Sequence, residues 1–452
     1  MRILVLQFVS AVRDRPVPRF EPQLGTLLSL LERREHELSL EGLSRFDLPK
    51  LKAALARSLP QLVYADISAV CVDAARRTLE YIEQHEYLPI VVGGEYPTID
   101  AAASLSLPGV QAAAIGEPDA SLVTYLERMK DPAAGQVVSG VWLRDERGTA
   151  RPELPPLVED LNSLPFAHRE LFRYAEHVGR TGQLEIVVGR GSPEHCDYTT
   201  NARLEQLYAG HGAWVRRRAP GNVMAEIAQL QKHYAGARMV RFLDHAFALD
   251  RPWIERFLPA YGRQCQLPFC CHLRANAADE DLVCDLAAGG CELVDVDVIS
   301  ASNLIRNEIF DMDLSGEQIR TCFAWLKAAG VRSRAVVYLG APYESEASLD
   351  ETRSLLLELK PDIVDLRAYY PWPGTAAREL CVEQGWIHAR GEEQYHADRP
   401  GIDMPACRPD IVSAFMRRMR QELPAAFPGP WWRRWSQASR SALGRVFLRR
   451  RL

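Results

Sequence analysis

The chain has 452 residues, 47% hydrophobic and 25% charged, the balance of an ordinary globular protein with room for two full domains and an appendage. Its formal charge of −5 excludes an overall electrostatic pull toward nucleic acid or an acidic membrane. No apolar run reaches the roughly 18–20 residues that a spanning helix needs.

The opening MRILVLQFVSAVRDRP has a single Arg ahead of its short apolar stretch and no small-residue cleavage site, so it predicts a buried first strand rather than a signal core. Within residues 1–134, strands are predicted at 2–9, within 62–72, at 88–94 and at 110–116. Helices are predicted at 24–37, with Leu24, Leu27, Leu28 and Leu31 on one face, and at 74–85. Continuously apolar strands separated by helices imply a parallel sheet covered on both faces. Ligands of such sheets sit beyond the carboxyl ends of the strands. Gly93, Gly94 and Gly116 lie there, where a missing side chain lets backbone approach a ligand.

Residues 135–178 read as a connector, with a hairpin around Glu146, Arg147 and Gly148 and then Pro152, Pro155 and Pro156. A second α/β series fills residues 179–376. Its predicted strands are 184–188, 240–243, 269–273, 293–298, 334–339 and 363–368, and its helices lie near 221–234, 252–261, 279–288, 315–329 and 346–359. Six βα units in sequence suit a full or partial barrel with its chemistry at the strand C-termini. Residues 377–452 form a helical extension whose tail carries Trp431, Trp432 and Trp435 among arginines. The ten cysteines are scattered without a framework, which points to a cytoplasmic location and to small buried hydrophobes.

The string PIVVGGEYPT at 89–98, AIGE at 114–117 and Asp66 to Ser68 at the end of the preceding strand resemble the cobalamin-binding domain of B12-dependent radical-SAM proteins. A GG pair after a strand also fits any flavodoxin-like domain. The resemblance continues to about residue 390, through DLNSLP at 160–165, RGSP at 190–193, FLD at 242–244, RAN at 274–276, GAPYE at 340–344 and PWPGT at 371–375. It implies an N-terminal doubly wound, Rossmann-like cobalamin domain, a radical-SAM-like (β/α) partial barrel and a small C-terminal helical segment. It also implies cobalamin contacts at Ser68, Gly93, Gly94, Thr98, Gly116 and Glu117. No Asp-x-His-x-x-Gly occurs in this half, so that motif offers no histidine to the lower face of cobalt.

Two departures from the family pattern stand out. The family places CxxxCxxC after the first barrel strand, where three thiolates hold a [4Fe–4S] cluster. Here the corresponding residues are Ser192, Cys196 and Thr199. Aliphatic hydroxyls are hard ligands that ionise with difficulty, and such clusters require soft thiolates. The cluster is therefore expected to be absent. Where many relatives have a strand ending in GxES, whose Glu helps hold S-adenosylmethionine, this chain has Asp297-Val298-Ile299-Ser300. Ser300, Ser302 and Asn303 still match, which leaves a residual pocket for that cofactor open.

Cys270 and Cys271 are neighbours on one strand, so at most one faces the barrel interior. His195 and Cys196 lack the paired spacing of a zinc site, and no metal other than cobalt is expected. Asp244 and His245 end the second barrel strand, where a general base or substrate anchor sits; a structural hydrogen-bond pair is the alternative. Arg274 suits a carboxylate clamp or a structural ion pair. Tyr369, Tyr370 and Trp372 read as core packing or a pocket wall, and Arg216 to Arg218 as a solvated run, with capping onto nearby carboxylates as the alternative. The Arg/Trp tail suits an anionic membrane surface, a cover for the barrel or a partner subunit.

Three functional readings follow. The first is a cobalamin enzyme that modifies a small molecule without reductive cleavage of S-adenosylmethionine. The second is a cobalamin-binding pseudoenzyme supporting a partner protein. The third is an ordinary radical-SAM methyltransferase with an unusually held cluster. None involves nucleic acid.

Overall fold

The first strand, β1 (Arg2–Phe8), is buried at every position after Arg2, as a central strand covered on both faces must be. The computed structural model describes residues 1–10, 18–131, 135, 137–145, 148–193, 200–245, 247–387 and 400–423. Around β1 the strands β2 (Glu37–Leu43), β3 (Leu62–Ile67), β4 (Ile90–Gly93) and β5 (Val110–Ala114) run parallel in the order β2-β1-β3-β4-β5. The hairpin β6 (Val141–Asp145) and β7 (Gly148–Ala150) adds two antiparallel strands to that sheet. Alternate residues feed two cores. Leu4, Leu6 and Phe8 pack with α2 (Leu48–Ser58) and α3 (Val72–His85), whereas Ile3 and Val5 pack with α1 (Pro22–Glu32). The short helices α4 (Glu95–Ile99) and α5 (Ala101–Leu105) follow β4, and α6 (Ser121–Met129) follows β5.

Strand β2 and helix α2 were not expected, and the predicted 24–37 helix stops at Glu32. The strand reads ELSLEGL, with a glutamate in its buried half. Glu41 is buried because Lys50 and Arg57, both from α2, pair with it at 3.0 and 3.1 Å. A charge that needs distant partners hides an edge strand from pattern reading.

After α7 (Tyr174–Thr181) the second sheet begins with β8 (Gln183–Ile186). A two-stranded ribbon of β9 (Gly189–Arg190) and β10 (Arg216–Arg217), with α8 (Asn201–Leu207) between, interrupts the βα series before α9 (Pro220–His233). The series resumes with β11 (Met239–Phe242), α10 (Arg251–Gln264), β12 (Phe269–Leu273), α11 (Glu280–Ala288), β13 (Cys291–Ile299), α12 (Gly316–Ala328), β14 (Arg332–Leu339), α13 (Glu346–Leu359) and β15 (Ile363–Ala368). All six strands pair parallel in chain order, curling into a half-barrel. The predicted strands and helices of this half appear within a few residues of their expected places. Helices α14 (Ala376–Glu383) and α15 (Pro409–Glu422) complete the described chain. The Trp431–Arg451 tail lies outside the described residues.

The half-barrel is apolar outside and charged inside. Val240, Phe242, Cys271, Val294, Val296, Ala335, Val337, Val364 and Leu366 belong to the large core beneath the helices. Their neighbours Arg241, Cys270, His272, Asp295, Asp297, Arg334 and Arg367 lie on the concave side. Only one of the paired cysteines therefore lies inside, as strand alternation requires. Cys271 contacts Cys291, with 3.9 Å between sulfurs, on the helix side. Phe242, Phe247, Phe257, Tyr261 and Phe269 form the tightest part of the outer core, with ring centroids 4.4–6.2 Å apart. Replacing Phe257 by Ala empties the middle of this cluster; denaturant titration is expected to show a loss of about 3–5 kcal/mol.

Candidate functional site

The carboxyl edge of the first sheet gathers most of the small residues singled out in the sequence. The Thr98 hydroxyl donates to the Gly94 carbonyl at 2.8 Å and accepts the Gly116 N–H at 3.0 Å, binding the turn after β4 to the turn after β5. Gly94 has φ +94°, and a Cβ there would lie 2.6 Å from an Asp66 carboxylate oxygen and 2.9 Å from the Ile67 nitrogen. The turn therefore rests directly on the end of β3, a closure open only to glycine. Ser68 Oγ lies 3.4 Å from the Glu95 carboxylate, which also accepts the Ala69 N–H at 3.2 Å. Ser68, Gly94, Thr98 and Gly116 thus meet in one hydrogen-bonded edge. Gly93 serves a different contact, giving room to the Tyr64 ring.

Burial, reinforced by Glu21 and Glu95, pushes Asp66 up to about 8, and burial also raises Glu95. An edge of glycine backbone, hydroxyls and acceptor oxygens fits a corrin ring, whose peripheral carboxamides need both close approach and acceptors.

Glu117 is drawn away from that edge. Its carboxylate takes Arg190 at 2.9 Å and Arg216 at 2.5 and 3.1 Å, and Arg190 also pairs with Asp119. Arg190 and Arg216 are cross-strand partners of the β9–β10 ribbon, so one ribbon delivers two guanidinium groups to the turn after β5. Tyr208, at the end of α8, accepts the Glu117 N–H at 2.5 Å. The expectation of a solvated Arg216–Arg218 run is corrected here, and its carboxylate-capped alternative holds. Arg216 is 5% exposed, Arg218 reaches Glu226 at 2.6 Å and the Val187 carbonyl at 2.9 Å, and Arg217 lies over the Trp253 ring.

In the turn after β9, the Ser192 carbonyl accepts from Asn201 at 3.2 Å and Trp214 at 3.1 Å. Cys196 and Thr199 lie outside the described residues.

Asp244 staples the end of β11 to the bend after β8 by accepting the Val188 and Gly189 N–H groups at 2.8 Å each. Burial pushes it up to about 6 against those bonds and Arg217. His245 stands at the open mouth, its ring centroid 4.6 Å from that of His272. Desolvation within the concave wall, then His272, pushes His245 down to about 4. His272 is 8% exposed, with Nε2 3.1 Å from an Asp297 oxygen. Although burial opposes it, His272 holds Asp297 well below the usual carboxylate range.

Arg274 points its guanidinium to the Met312 carbonyl at 2.8 Å, which Asn276 also reaches at 3.2 Å, so it braces a loop of the wall. Ser300 is fully buried, with its hydroxyl 3.4 Å from that of Thr352 and its carbonyl accepting Arg306 at 2.5 Å. The Asn303 carbonyl oxygen takes Asn307 at 2.9 Å. Between them and Asp297 the strand bulges, and Ile299 adopts φ +60°, a strained conformation for a β-branched residue. Tyr369 and Tyr370 are buried.

Sequence reasoning passed over the charged lining. Asp295 takes Arg241 at 2.5 Å and Arg334 at 3.2 Å; Arg367 takes Asp365 at 2.7 Å and the Tyr338 hydroxyl at 3.0 Å. The available signal was alternation: ELVDVDVI and IVDLRA carry charged residues two apart (Asp295 and Asp297, Asp365 and Arg367), and MVRF and FCCHL each carry one polar residue, Arg241 and His272, in an otherwise apolar strand.

The Glu117 cluster sets a pH expectation. Although burial raises it, hydrogen bonds from Arg216 and Arg190 hold Glu117 below 4.5. Its stabilisation is thus fully present above 4.5 and lost as pH falls through the lowered folded value. Glu117→Gln is expected to cost about 2–4 kcal/mol at neutral pH. The gap to wild type should close as unfolding is followed into acid.

No protein-family model matches the chain. Cytidylyl-2-hydroxyethylphosphonate methyltransferase of Streptomyces wedmorensis is 22% identical over 342 residues, covering 66% of this chain and 61% of that protein. The radical S-adenosylmethionine methyltransferase TsrM of Kitasatospora setae, solved with cobalamin and a [4Fe–4S] cluster, superposes with a TM-score of 0.66 at 18% identity over 85% of this chain and 78% of its own. The cobalamin-dependent S-adenosylmethionine radical enzyme OxsB, solved with aqua-cobalamin, gives 0.64 at 15% identity over 93% of this chain and 61% of its own. With the doubly wound first sheet and the six-stranded half-barrel, these likenesses show that the chain shares the fold of TsrM and OxsB.

Proposed function

We propose that this chain is a cobalamin-dependent enzyme that tailors a small molecule, by methyl transfer or a related step, without reductive cleavage of S-adenosylmethionine. The observation that carries the reading is the charged concave face of the half-barrel, anchored to the turn after β5 by Glu117, Arg190 and Arg216. A scaffold with no substrate has no need to keep so many buried charges satisfied on one concave wall. Ser68, Gly93, Gly94, Thr98 and Gly116 would hold the cofactor. Cobalamin, when bound, supplies a cobalt–carbon bond suited to methyl transfer. Glu117 would act by fixing the ribbon. Asp244 and Arg274 would hold the mouth in shape, and His245 would face the substrate.

Ser192, Cys196 and Thr199 supply one thiolate and two hydroxyls, a donor set that does not fit a [4Fe–4S] cluster, so no step is assigned to one. The cluster in the TsrM structure favours the second reading, cluster-dependent chemistry. Anaerobic reconstitution of the full chain separates the two. We expect corrin absorption at one cobalt per chain without the broad brown absorption of an iron–sulfur cluster. Thr98→Val, which cuts the tie between the two turns, should weaken corrin retention by about tenfold, equivalent to one net hydrogen bond. Failure to retain any corrin would sink the cobalamin assignment. A stoichiometric cluster that disappears in Cys196→Ala would overturn the cluster-free chemistry and establish the second reading.

A further inference from the structure

We infer that His245, His272 and Asp297 form a site for a single divalent transition-metal ion at the mouth of the half-barrel. The three residues come from the ends of adjacent strands: His245 from the turn after β11, His272 from β12 and Asp297 from β13. Each offers one ligand atom, and all three atoms lie within 4.8 Å of one another. Bonds of about 2.0–2.2 Å to a common ion place neighbouring donors roughly 3.0–3.4 Å apart. The His272 nitrogen and the Asp297 oxygen already stand 3.1 Å apart. His245 must close the remaining distance, and it is the residue with room to do so. It is exposed, and among the described residues it makes no hydrogen bond, only the ring contact with His272.

The donor set selects the ligand class. Two imidazoles and one carboxylate are borderline ligands suited to zinc, ferrous iron or nickel, unlike the thiolates of an iron–sulfur cluster. The charge of Arg367 is felt at both His245 and Asp297, and its own ion pair with Asp365 answers it. Asp295 is taken by Arg241 and Arg334, and Arg367 by Asp365 and Tyr338. Three protein ligands leave at least one coordination position for water or a substrate heteroatom, and His245 sets that position on the open side of the mouth. The strained bulge at Ile299 follows Asp297 in the chain and contributes to where its carboxylate lies.

The test uses the full chain, stripped with a chelator and titrated with zinc chloride alone. Metal content is measured after gel filtration, and corrin content is read separately from visible absorption. Wild type is expected to retain one zinc per chain. His245→Ala, at an exposed position that does not threaten folding, and Asp297→Asn should each weaken retention by at least about a hundredfold, with corrin content unchanged. No retained zinc in wild type overturns the site. Zinc that survives the His245 substitution belongs to other ligands, such as the Cys271–Cys291 pair, and overturns it equally. Because corrin is measured independently, loss of zinc alone leaves the cobalamin reading standing.

Discussion

A carboxylate held between two guanidinium groups joins the two sheets of this protein. Glu117 lies in the turn after the last parallel strand of the first sheet, and Arg190 and Arg216 come from a ribbon inserted after the first strand of the second. Desolvating three charges is costly, and buried ion pairs of this kind often add little net stability. Their geometry is demanding, however: the ribbon must present both arginines to one side, and the turn after β5 must be tight enough to bring the carboxylate forward. Tyr208, packed on Gly116 with its hydroxyl accepting the Glu117 N–H, fixes that turn. The cluster therefore specifies how the carboxyl edge of one sheet faces the ribbon beside the half-barrel mouth, and any chemistry requiring both depends on it.

The second constraint is the two-sidedness of the half-barrel strands. Their outer residues bury against helices and supply the apolar driving force, while the inner face carries the charged groups beside the small apolar cluster of Met239, Cys270, Leu293 and Ile363. Such a face survives only if its charges are matched locally. Asp295 is shared between two arginines, and Arg367 is answered by Asp365 and a phenol. Nearer the mouth, histidines take over as partners of the carboxylate.

Much of this was legible in the residue pattern and part of it was not, for reasons that can be named. The βα units of the half-barrel announce themselves because each helix carries one apolar face and each strand is bounded by turn residues, and β12, α13 and β15 begin and end where the pattern says. The small residues after β3, β4 and β5 also stand out, since Gly94 and Thr98 have obvious conformational and hydrogen-bonding roles. Strand β2 was hidden because Glu41 is buried by partners on the following helix. The arginine run was misread because Arg216 and Arg218 are answered by Glu117 and Glu226, one 99 residues back and the other eight ahead. His272 and Asp297 were passed over because strands rich in valine and leucine suggest uniform burial, and the alternating polar positions are visible only when each strand is split by face.

Ile299 gathers the last of these threads. A carboxylate at that position would be a polar group on a bulge, free to reach a ligand. Isoleucine is fully buried there and pays the strain of a positive φ. Two residues back in the strand, Asp297 lies 3.1 Å from His272 and close to His245. In the loop after β9 the chain carries Ser192, Cys196 and Thr199. One thiol and two hydroxyls stand at 192, 196 and 199, and two imidazoles and a carboxylate stand at the strand ends. On the readings proposed above, the fold has kept its cobalamin edge and half-barrel while exchanging the donor set of its mouth. Coordination chemistry, more than shape, then separates this chain from the proteins whose fold it shares.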